Sequence, residues 1–196
     1  VDPESEVMVL NGSREGLFFA AITAARYVAP RKGRPAVLMP NPFYPAYGAG
    51  ARAAGCEQIY LPTTLSNGFL PDLDSIDEAT LARTVAFFLA SPANPQGSVA
   101  SRAYFTRLKQ LADRHGFMIL SDECYSEIYT REAPGSMLEC AGPDFTNVVA
   151  FQSLSKRSNL PGMRVGFAAG DRKFMAAFLE LRNVAAPQVP VPLQHV

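Results

Sequence analysis

Short apolar runs alternate along this chain with longer segments in which apolar residues recur at helical spacing. The short runs predict seven strands, Val7–Leu10, Ala36–Met39, Gln58–Leu61, Thr84–Ala90, Phe117–Ser121, Val148–Gln152 and Val165–Ala169. The longer segments predict five helices, Ser13–Val28, Tyr44–Ala54, Leu73–Ala79, Ser101–Arg114 and Arg172–Val184. This alternation indicates an α/β fold, a three-layer α/β/α sandwich with a mostly parallel sheet and helices on both faces.

The fourth predicted helix has the clearest signals at its two ends. Phe105, Leu108 and Leu111 repeat at helical spacing within it. Ser101 is a typical N-cap, and Gly116 is a typical residue at which a helix ends. The pattern therefore predicts both the helix and its limits.

The amino-acid composition is typical of a globular protein. The chain has 196 residues, of which 48% are hydrophobic and 18% charged, so it is long and apolar enough for one large globular domain. Lys plus Arg and Asp plus Glu both number 18, so the zero net charge gives no support for a nucleic-acid or acidic-membrane partner. No apolar run approaches the ~20 residues that a membrane span needs.

Three cysteines, Cys56, Cys124 and Cys140, make an odd number without metal-type spacing. They indicate reduced thiols in a cytosolic protein and no metal site. The chain begins at Val1 rather than at a methionine, and residues 185–196 are apolar and proline-rich. We therefore expect it to be a piece of a longer protein.

Polar loops follow several of the predicted strands, at the strand ends where α/β sheets bind ligands. The first is Asn11–Gly16, in which Gly12 permits a tight turn before a helix. The free amides of Ser13 and Arg14 at the helix N-terminus predict an anion site. The alternative is an ordinary strand-to-helix turn with Ser13 as the N-cap.

Two further loops are stiffened by prolines. In Asn41–Tyr47 the prolines fix Tyr44, whose ring would stack on a flat heterocycle, or would simply pack in the core. In Ser91–Gly97 the side-chain amide of Asn94 stands between prolines and would donate to a phenolic oxygen of a ligand. Asn-Pro is also a common turn dipeptide, so a plain turn is the alternative there.

Acidic residues follow the fifth predicted strand in Ser121–Tyr125. Asp122 could pair with a protonated ring nitrogen, and Tyr125 could donate a hydrogen bond nearby, whereas Glu123 is open to a structural role. The alternative for the whole segment is a solvated acidic turn.

Ser153–Arg164 contains one lysine just after two hydroxyls and eight residues before an arginine. Ser153, Ser155 and Arg164 could hold a phosphate while Lys156 bonds covalently to the molecule that carries it, although a basic surface loop is the alternative. Pyridoxal 5′-phosphate (PLP) has an aldehyde that condenses with a lysine and a phosphate that needs donors. The five loops together supply every group that PLP requires.

In this order the segments resemble fold-type I PLP enzymes of the class I and II aminotransferase family, from about Val7 to Gly170. The resemblance implies a PLP-dependent transferase large domain with catalytic roles for Lys156, Asp122 and Tyr125. Lys156 would be the lysine bonded to PLP and Asp122 the partner of its ring nitrogen. The implied cofactor-binding set is Ser13, Arg14, Tyr44, Asn94, Asp122, Tyr125, Ser153, Ser155, Lys156 and Arg164.

A narrower resemblance lies in Lys156–Arg164. Its Lys-Arg-Ser-Asn start resembles bacterial N-succinyldiaminopimelate aminotransferases of lysine biosynthesis, whereas many relatives carry Thr and an aromatic residue at Arg157 and Ser158. This implies transfer of an amino group between an amino acid and a 2-oxo acid, possible substrates being N-succinyldiaminopimelate and glutamate. The family also implies a cytoplasmic homodimer.

Two family features fall outside this chain. They are the small-domain arginine that binds the substrate carboxylate, and a tyrosine from the partner subunit that lies upstream of Val1. The resemblance thus implies that residues 1–196 are an incomplete PLP-binding large domain, without the N-terminal segment and the C-terminal small domain. Alone, the chain is expected to bind PLP yet to transaminate poorly or not at all.

Other functions fit parts of the same pattern. C–S lyases and other PLP enzymes use the same constellation, so the fold does not choose among these reactions. An aminotransferase-like effector domain of a transcription regulator is a second alternative, which the sequence upstream of Val1 would decide. A dinucleotide-binding domain is disfavoured, since Gly-x-Gly-x-x-Gly follows none of the strands.

Overall fold

The computed structural model describes residues 1–195. Its single sheet has seven strands in the order β1-β7-β6-β5-β4-β2-β3. The strands are β1 Val7–Leu10, β2 Ala36–Asn41, β3 Glu57–Pro62, β4 Thr84–Ala90, β5 Met118–Asp122, β6 Val148–Ser153 and β7 Gly166–Gly170. All seven predicted strands are thereby confirmed, with ends that differ by at most two residues.

Helices connect most of these strands. They are α1 Ser13–Tyr27, α2 Pro45–Ala53, α3 Glu78–Arg83, α4 Arg102–His115, α5 Leu154–Arg157, α6 Arg172–Ala185 and α7 Val191–Gln194. Short 3₁₀ turns lie at Leu65–Asn67, Leu73–Ser75, Met137–Cys140 and Pro161–Met163. The predicted ends of α4 are confirmed, because the Ser101 hydroxyl accepts from the Tyr104 amide and Gly116 takes a left-handed conformation.

The sheet is parallel except at β7. That strand runs antiparallel to both of its neighbours, β1 and β6. The connection from β6 to β7 carries only a short helix and a 3₁₀ turn, whereas a parallel crossover usually needs a longer helix. Strands β1, β2, β4, β5 and β6 consequently end at one edge of the sheet, which is where the polar loops emerge.

Two apolar cores lie on opposite faces of the sheet. One packs α1, α2 and α6 against residues such as Met39 and Phe88. The other packs α4 and the segment around α3 against residues such as Leu38 and Phe87. Neighbouring residues of one strand therefore point into different cores, which is the side-chain alternation of a strand buried on both faces.

The prediction of a single helix over Leu73–Ala79 is wrong. A 3₁₀ turn at Leu73–Ser75 ends at the extended residue Ile76, and α3 begins only at Glu78. Two aspartates cause the break, because Asp72 caps the first turn and Asp77 caps α3 by accepting from the Thr80 amide. Each side chain offers the backbone a new start in place of a continuous helix.

Within residues 1–195, no helix is both long enough and apolar enough to cross a lipid bilayer. The three cysteines are free thiols, and Cys56 and Cys124 are buried.

Candidate active site

A cavity of about 570 Å³ opens at the edge where β1, β2, β4, β5 and β6 end. All ten residues that the sequence singles out line it: Ser13, Arg14, Tyr44, Asn94, Asp122, Tyr125, Ser153, Ser155, Lys156 and Arg164. They come from five separate loops, so the fold brings together what the sequence spreads over some 150 positions.

Positive charge and free backbone donors gather where α1 begins. We call Gly12, Ser13, Arg14 and Arg164 the cationic cluster. Gly12 precedes the helix with φ of 80°, so the alternative in which Ser13 is the N-cap is wrong. The first amides of a helix lack intrahelical partners and carry the positive end of its dipole, which makes them donors for an anion.

Arg164 approaches the same turn from the other side. It follows the 3₁₀ turn Pro161–Met163 in a left-handed conformation, and its Nη1 donates to the Pro161 carbonyl at 3.0 Å. Its Nη2 lies so close to Gly12 that a Cβ there would overlap the guanidinium. Glycine at position 12 thus serves both the positive φ and the close approach of the arginine.

A second group of residues surrounds the acid that ends β5. We call Tyr47, Asn94, Asp122 and Tyr125 the acid cluster. The Tyr47 hydroxyl donates to Asp122 Oδ2 at 2.6 Å, and the amide of Cys124 donates to Asp122 Oδ1 at 3.2 Å. Both carboxylate oxygens are therefore held by donors from the protein.

The other half of the acid cluster is an amide–phenol pair. Asn94 Nδ2 donates to the Tyr125 hydroxyl at 2.9 Å. Because that oxygen accepts from Asn94, the phenolic proton of Tyr125 is free to be donated elsewhere. Lys156 Nζ lies 5.9 Å from the centroid of the Tyr125 ring, so the amine and the phenol share one region of the cavity.

Lys156 stands on the single turn of α5. The buried Ser153 side chain caps this turn by accepting from the Ser155 amide at 3.1 Å. The cap fixes how the chain leaves β6, and it places Ser153, Ser155 and Lys156 in succession along the cavity wall.

Tyr44 lies between the two clusters. The Arg14 guanidinium donates to its hydroxyl, and its ring meets the Tyr47 ring edge-on with centroids 5.9 Å apart. These contacts hold the Tyr44 ring at the cavity wall. Its predicted stacking on a heterocycle stays a prediction.

Glu123 lies outside the cavity although it follows Asp122 directly. Its side chain is 1% exposed and accepts from Ser121 Oγ and the Met137 amide, both at 2.9 Å. Burial raises the pKa of the Glu123 carboxyl despite these donors. Its contacts are those of a structural residue, whereas Asp122 faces the cavity.

Two cavity residues were missed in the sequence. Tyr47 holds Asp122, and Cys124 donates its thiol proton to Ser13 Oγ at 3.1 Å, which links the two clusters. Burial, assisted by the nearby Asp122 carboxylate, raises the pKa of the Cys124 thiol, so the thiol stays protonated as a donor. The available signal was the three-residue spacing of Tyr44 and Tyr47, which puts both rings on one side of a helix.

Comparisons with known proteins agree with the predicted family. Proteins named LL-diaminopimelate aminotransferase from Desulforudis audaxviator and Aquifex aeolicus are 38% and 36% identical to this chain over 93% of it. These matches cover 45% and 46% of the two relatives, so the chain spans about half the length of the curated relatives it matches.

Solved structures show the same relation. The chain superposes on an aminotransferase from Neisseria meningitidis with a TM-score of 0.90 and 38% identity, over 99% of this chain and 49% of that one. It also matches a probable N-succinyldiaminopimelate aminotransferase from Thermus thermophilus with a TM-score of 0.86 and 31% identity, over 98% of this chain and 50% of that one. These matches confirm the α/β fold expected from the sequence.

The sequence profile described as "Aminotransferase class I and II" matches residues 1–195. That match covers nearly the whole chain, and the relatives and solved structures agree with it. The chain therefore belongs to the class I and II aminotransferase family.

Proposed function

We propose that this chain is the PLP-binding large domain of an aminotransferase. One observation carries the proposal: ten residues from five distant loops meet in one cavity with a lysine, a fixed carboxylate and an anion-binding helix end. A chance surface loop would explain any one of these segments but not their convergence.

The donor set of the cavity fits PLP. The Asp122 carboxylate suits a protonated ring nitrogen, and the Asn94–Tyr125 pair suits a phenolate oxygen. The free amides of Ser13 and Arg14, with the guanidinium of Arg164 against Gly12, suit a phosphate. The space that a side chain at position 12 would need is occupied by the Arg164 guanidinium.

When bound, PLP supplies an aldehyde that condenses with amines and a ring that withdraws electrons from the substrate α-carbon. Lys156 would hold the cofactor covalently through Nζ. As a free amine, Lys156 would carry a proton between the α-carbon of the substrate and C4′ of the cofactor. Its side chain is exposed in the cavity, so the amine is accessible from that space.

Asp122 would keep the ring nitrogen protonated, because a carboxylate beside a cation favours the charged pair. The Tyr125 hydroxyl would donate a hydrogen bond to the phenolate oxygen. Asn94 would orient Tyr125 and donate a second hydrogen bond to the same phenolate oxygen. Tyr44 would stack on the ring. Ser153, Ser155 and the cationic cluster would hold the phosphate and set the distance from Lys156.

For the protein that carries this chain, we propose transfer of an amino group between an amino acid and a 2-oxo acid. The names of the relatives support a diaminopimelate-type substrate. A role in lysine biosynthesis and glutamate as the second substrate follow from the resemblance of the segment Lys156–Arg164. Because the match covers about half of the relative, we propose that this chain is the large domain of a longer protein. A cytoplasmic homodimer, as in the family, completes the proposal.

The first test is covalent capture of PLP on Lys156. We expect borohydride reduction of the protein with PLP to leave a modified peptide containing Lys156, found by mass spectrometry. Lys156→Ala removes the only proposed attachment point, so it should abolish labelling and lower turnover of the intact protein by about 10²–10⁴-fold or more. Arg157→Ala is the matched control, because this neighbour is exposed and lies 3.5 Å from Glu127 rather than on the cavity wall.

Two results would contradict the assignment. One is labelling at another lysine, and the other is substantial turnover by Lys156→Ala in the intact protein. Assays of that protein with 2-oxoglutarate and either LL-diaminopimelate or its N-succinyl form would then separate the two substrates that the relatives suggest.

A further inference from the structure

We propose that Tyr47 is a positioning residue that fixes the Asp122 carboxylate for contact with the ring nitrogen of the cofactor. The inference rests on the proposed function, since it assigns a partner to an acid whose own role is part of that function. Tyr47 does not need to touch the reacting atoms to act in this way.

The Tyr47 ring is held on several sides. It is 1% exposed and stacks on Phe88 of β4 with centroids 4.2 Å apart and planes 6° apart. Tyr44 meets its edge at 5.9 Å. A phenol held in this way has little freedom except rotation of its hydroxyl proton, and the acceptor at 2.6 Å is Asp122 Oδ2.

The carboxylate of Asp122 is held at two points and still has capacity. Tyr47 donates to Oδ2 and the Cys124 amide to Oδ1, whereas an ionised carboxylate accepts about four hydrogen bonds. The remaining lone pairs of Asp122 are available at the cavity wall. Two donors from different elements, α2 and the turn after β5, thus define the orientation of the carboxylate plane.

The environment keeps Tyr47 a donor. Burial, reinforced by the neighbouring Asp122 carboxylate, raises the pKa of the Tyr47 phenol well above its usual range. The phenol therefore stays neutral wherever the carboxylate is charged. Packing alone would be served equally well by phenylalanine at this position, so the hydroxyl is the part that needs a functional explanation.

The test compares two cofactor forms in the protein that carries this chain. PLP and its 1-deaza analogue differ in the ring nitrogen, which is replaced by C–H in the analogue. We expect Tyr47→Phe to weaken PLP binding about tenfold, as for loss of a hydrogen bond to a charged group. Binding of the deaza analogue should change less than about twofold, because Asp122 has no ring proton to accept there.

Tyr104→Phe is the matched control. It also removes a tyrosine hydroxyl, one that donates to the Pro71 carbonyl at 2.9 Å and lies outside the residues that line the cavity. Its affinities for both forms should equal those of the wild type. The thermal unfolding temperatures of the two cofactor-free variants show whether Tyr47→Phe destabilises the fold more than Tyr104→Phe does.

A double variant separates the effect of Tyr47 on Asp122 from any effect of Tyr47→Phe on the stability of the fold. In an Asp122→Asn background, Tyr47→Phe should leave the ratio of the two affinities unaltered, since the charge that Tyr47 positions is gone. An equal loss for both cofactor forms, or no loss for either, would overturn the role of Tyr47 and leave the proposed function standing. A wild-type protein that binds neither form would overturn both.

Discussion

The two clusters of the cavity are built in opposite ways. In the acid cluster, side chains pair with one another: Tyr47 with Asp122, and Asn94 with Tyr125. In the cationic cluster, the donors are backbone amides at the start of α1 and the exposed guanidinium of Arg164, close to Gly12. The first cluster is thus organised by hydrogen bonds between its own side chains, whereas the second presents backbone donors and positive charge that suit an anion.

The difference teaches which property each cluster controls. Preorganised groups beside the reacting ring stabilise charge that develops during the reaction, so they act on rate as well as on cofactor affinity. Donors at a helix end meet a phosphate that does not change during the reaction, so they act mainly on affinity. Substitutions in the acid cluster should therefore lower turnover as well as affinity, whereas substitutions in the cationic cluster should lower affinity alone.

Within the two clusters, the largest effect is expected from Asp122→Asn. The change removes the charge that supports a protonated ring nitrogen but keeps an oxygen that accepts from Tyr47. Turnover of the intact protein should fall about 10²–10³-fold, as for other losses of a preorganised electrostatic group. Tyr125→Phe removes one hydrogen bond to the phenolate oxygen but no charge, and it should lower turnover less, by about tenfold. Steady-state kinetics of the two variants measure the difference, and equal losses would refute the proposed role of Asp122.

An intermediate effect is expected from Gly12→Ala. The new Cβ would overlap the Arg164 guanidinium, so the affinity for PLP should fall by about tenfold or more while the affinity for pyridoxal, which lacks the phosphate, changes little. Gly33→Ala is the matched control, because Gly33 has nearly the same φ, 79° against 80°, with open space around it among the described residues.

Both glycine variants should lose about 1–3 kcal/mol of folding stability, because alanine is strained at a positive φ. Only Gly12→Ala should also lose cofactor affinity, as measured by equilibrium titration. An equal loss of affinity for PLP and for pyridoxal would show that the cationic cluster does not bind the phosphate.

The smallest effect concerns Glu123, behind the acid cluster. Because burial raises the pKa of this carboxyl, the folded protein keeps a proton that the unfolded chain has lost. Stability therefore falls as the pH rises from the ordinary pKa of about 4.5 to the raised pKa, by about 1.4 kcal/mol for each pH unit between the two. Glu123→Gln keeps an acceptor for Ser121 and Met137 and removes this dependence.

Thermal unfolding at several pH values tests the prediction. The stability of Glu123→Gln relative to wild type should be more favourable at pH 7 than at pH 4, whereas Glu132→Gln, at an exposed position, should show no such trend. A relative stability that is flat with pH would show that the Glu123 carboxyl is not destabilised by its burial.

Most of the fold could be predicted because its signals are local. Strand periodicity, the Ser101 cap and the Gly116 stop all act within a few residues, and each is confirmed. The segment 73–79 failed because apolar spacing was given more weight than Asp72 and Asp77, two capping side chains that divide it. Gathering of the site residues could be anticipated too, since loops after parallel strands share one edge.

The remaining features depend on contacts between distant segments. The bond from Tyr47 to Asp122 joins residues 75 positions apart, and the bond from Cys124 to Ser13 spans 111. Neither residue type at its position indicates a partner in the sequence. The reversed direction of β7 likewise depends on its pairing with β6 across a short connection. That pairing is known only once the order of the strands in the sheet is known.

The antiparallel pairing of β6 with β7 has a mechanical consequence. Lys156 and Arg164 both lie in the one connection between these strands, whose ends are clamped by ladder pairs such as Ser153 with Gly166. A ligand bound to both Lys156 and Arg164 would be held at two points of one short segment. The distance between these two points is set within residues 154–165, so rigid-body movement of any other part of the protein would leave it unchanged.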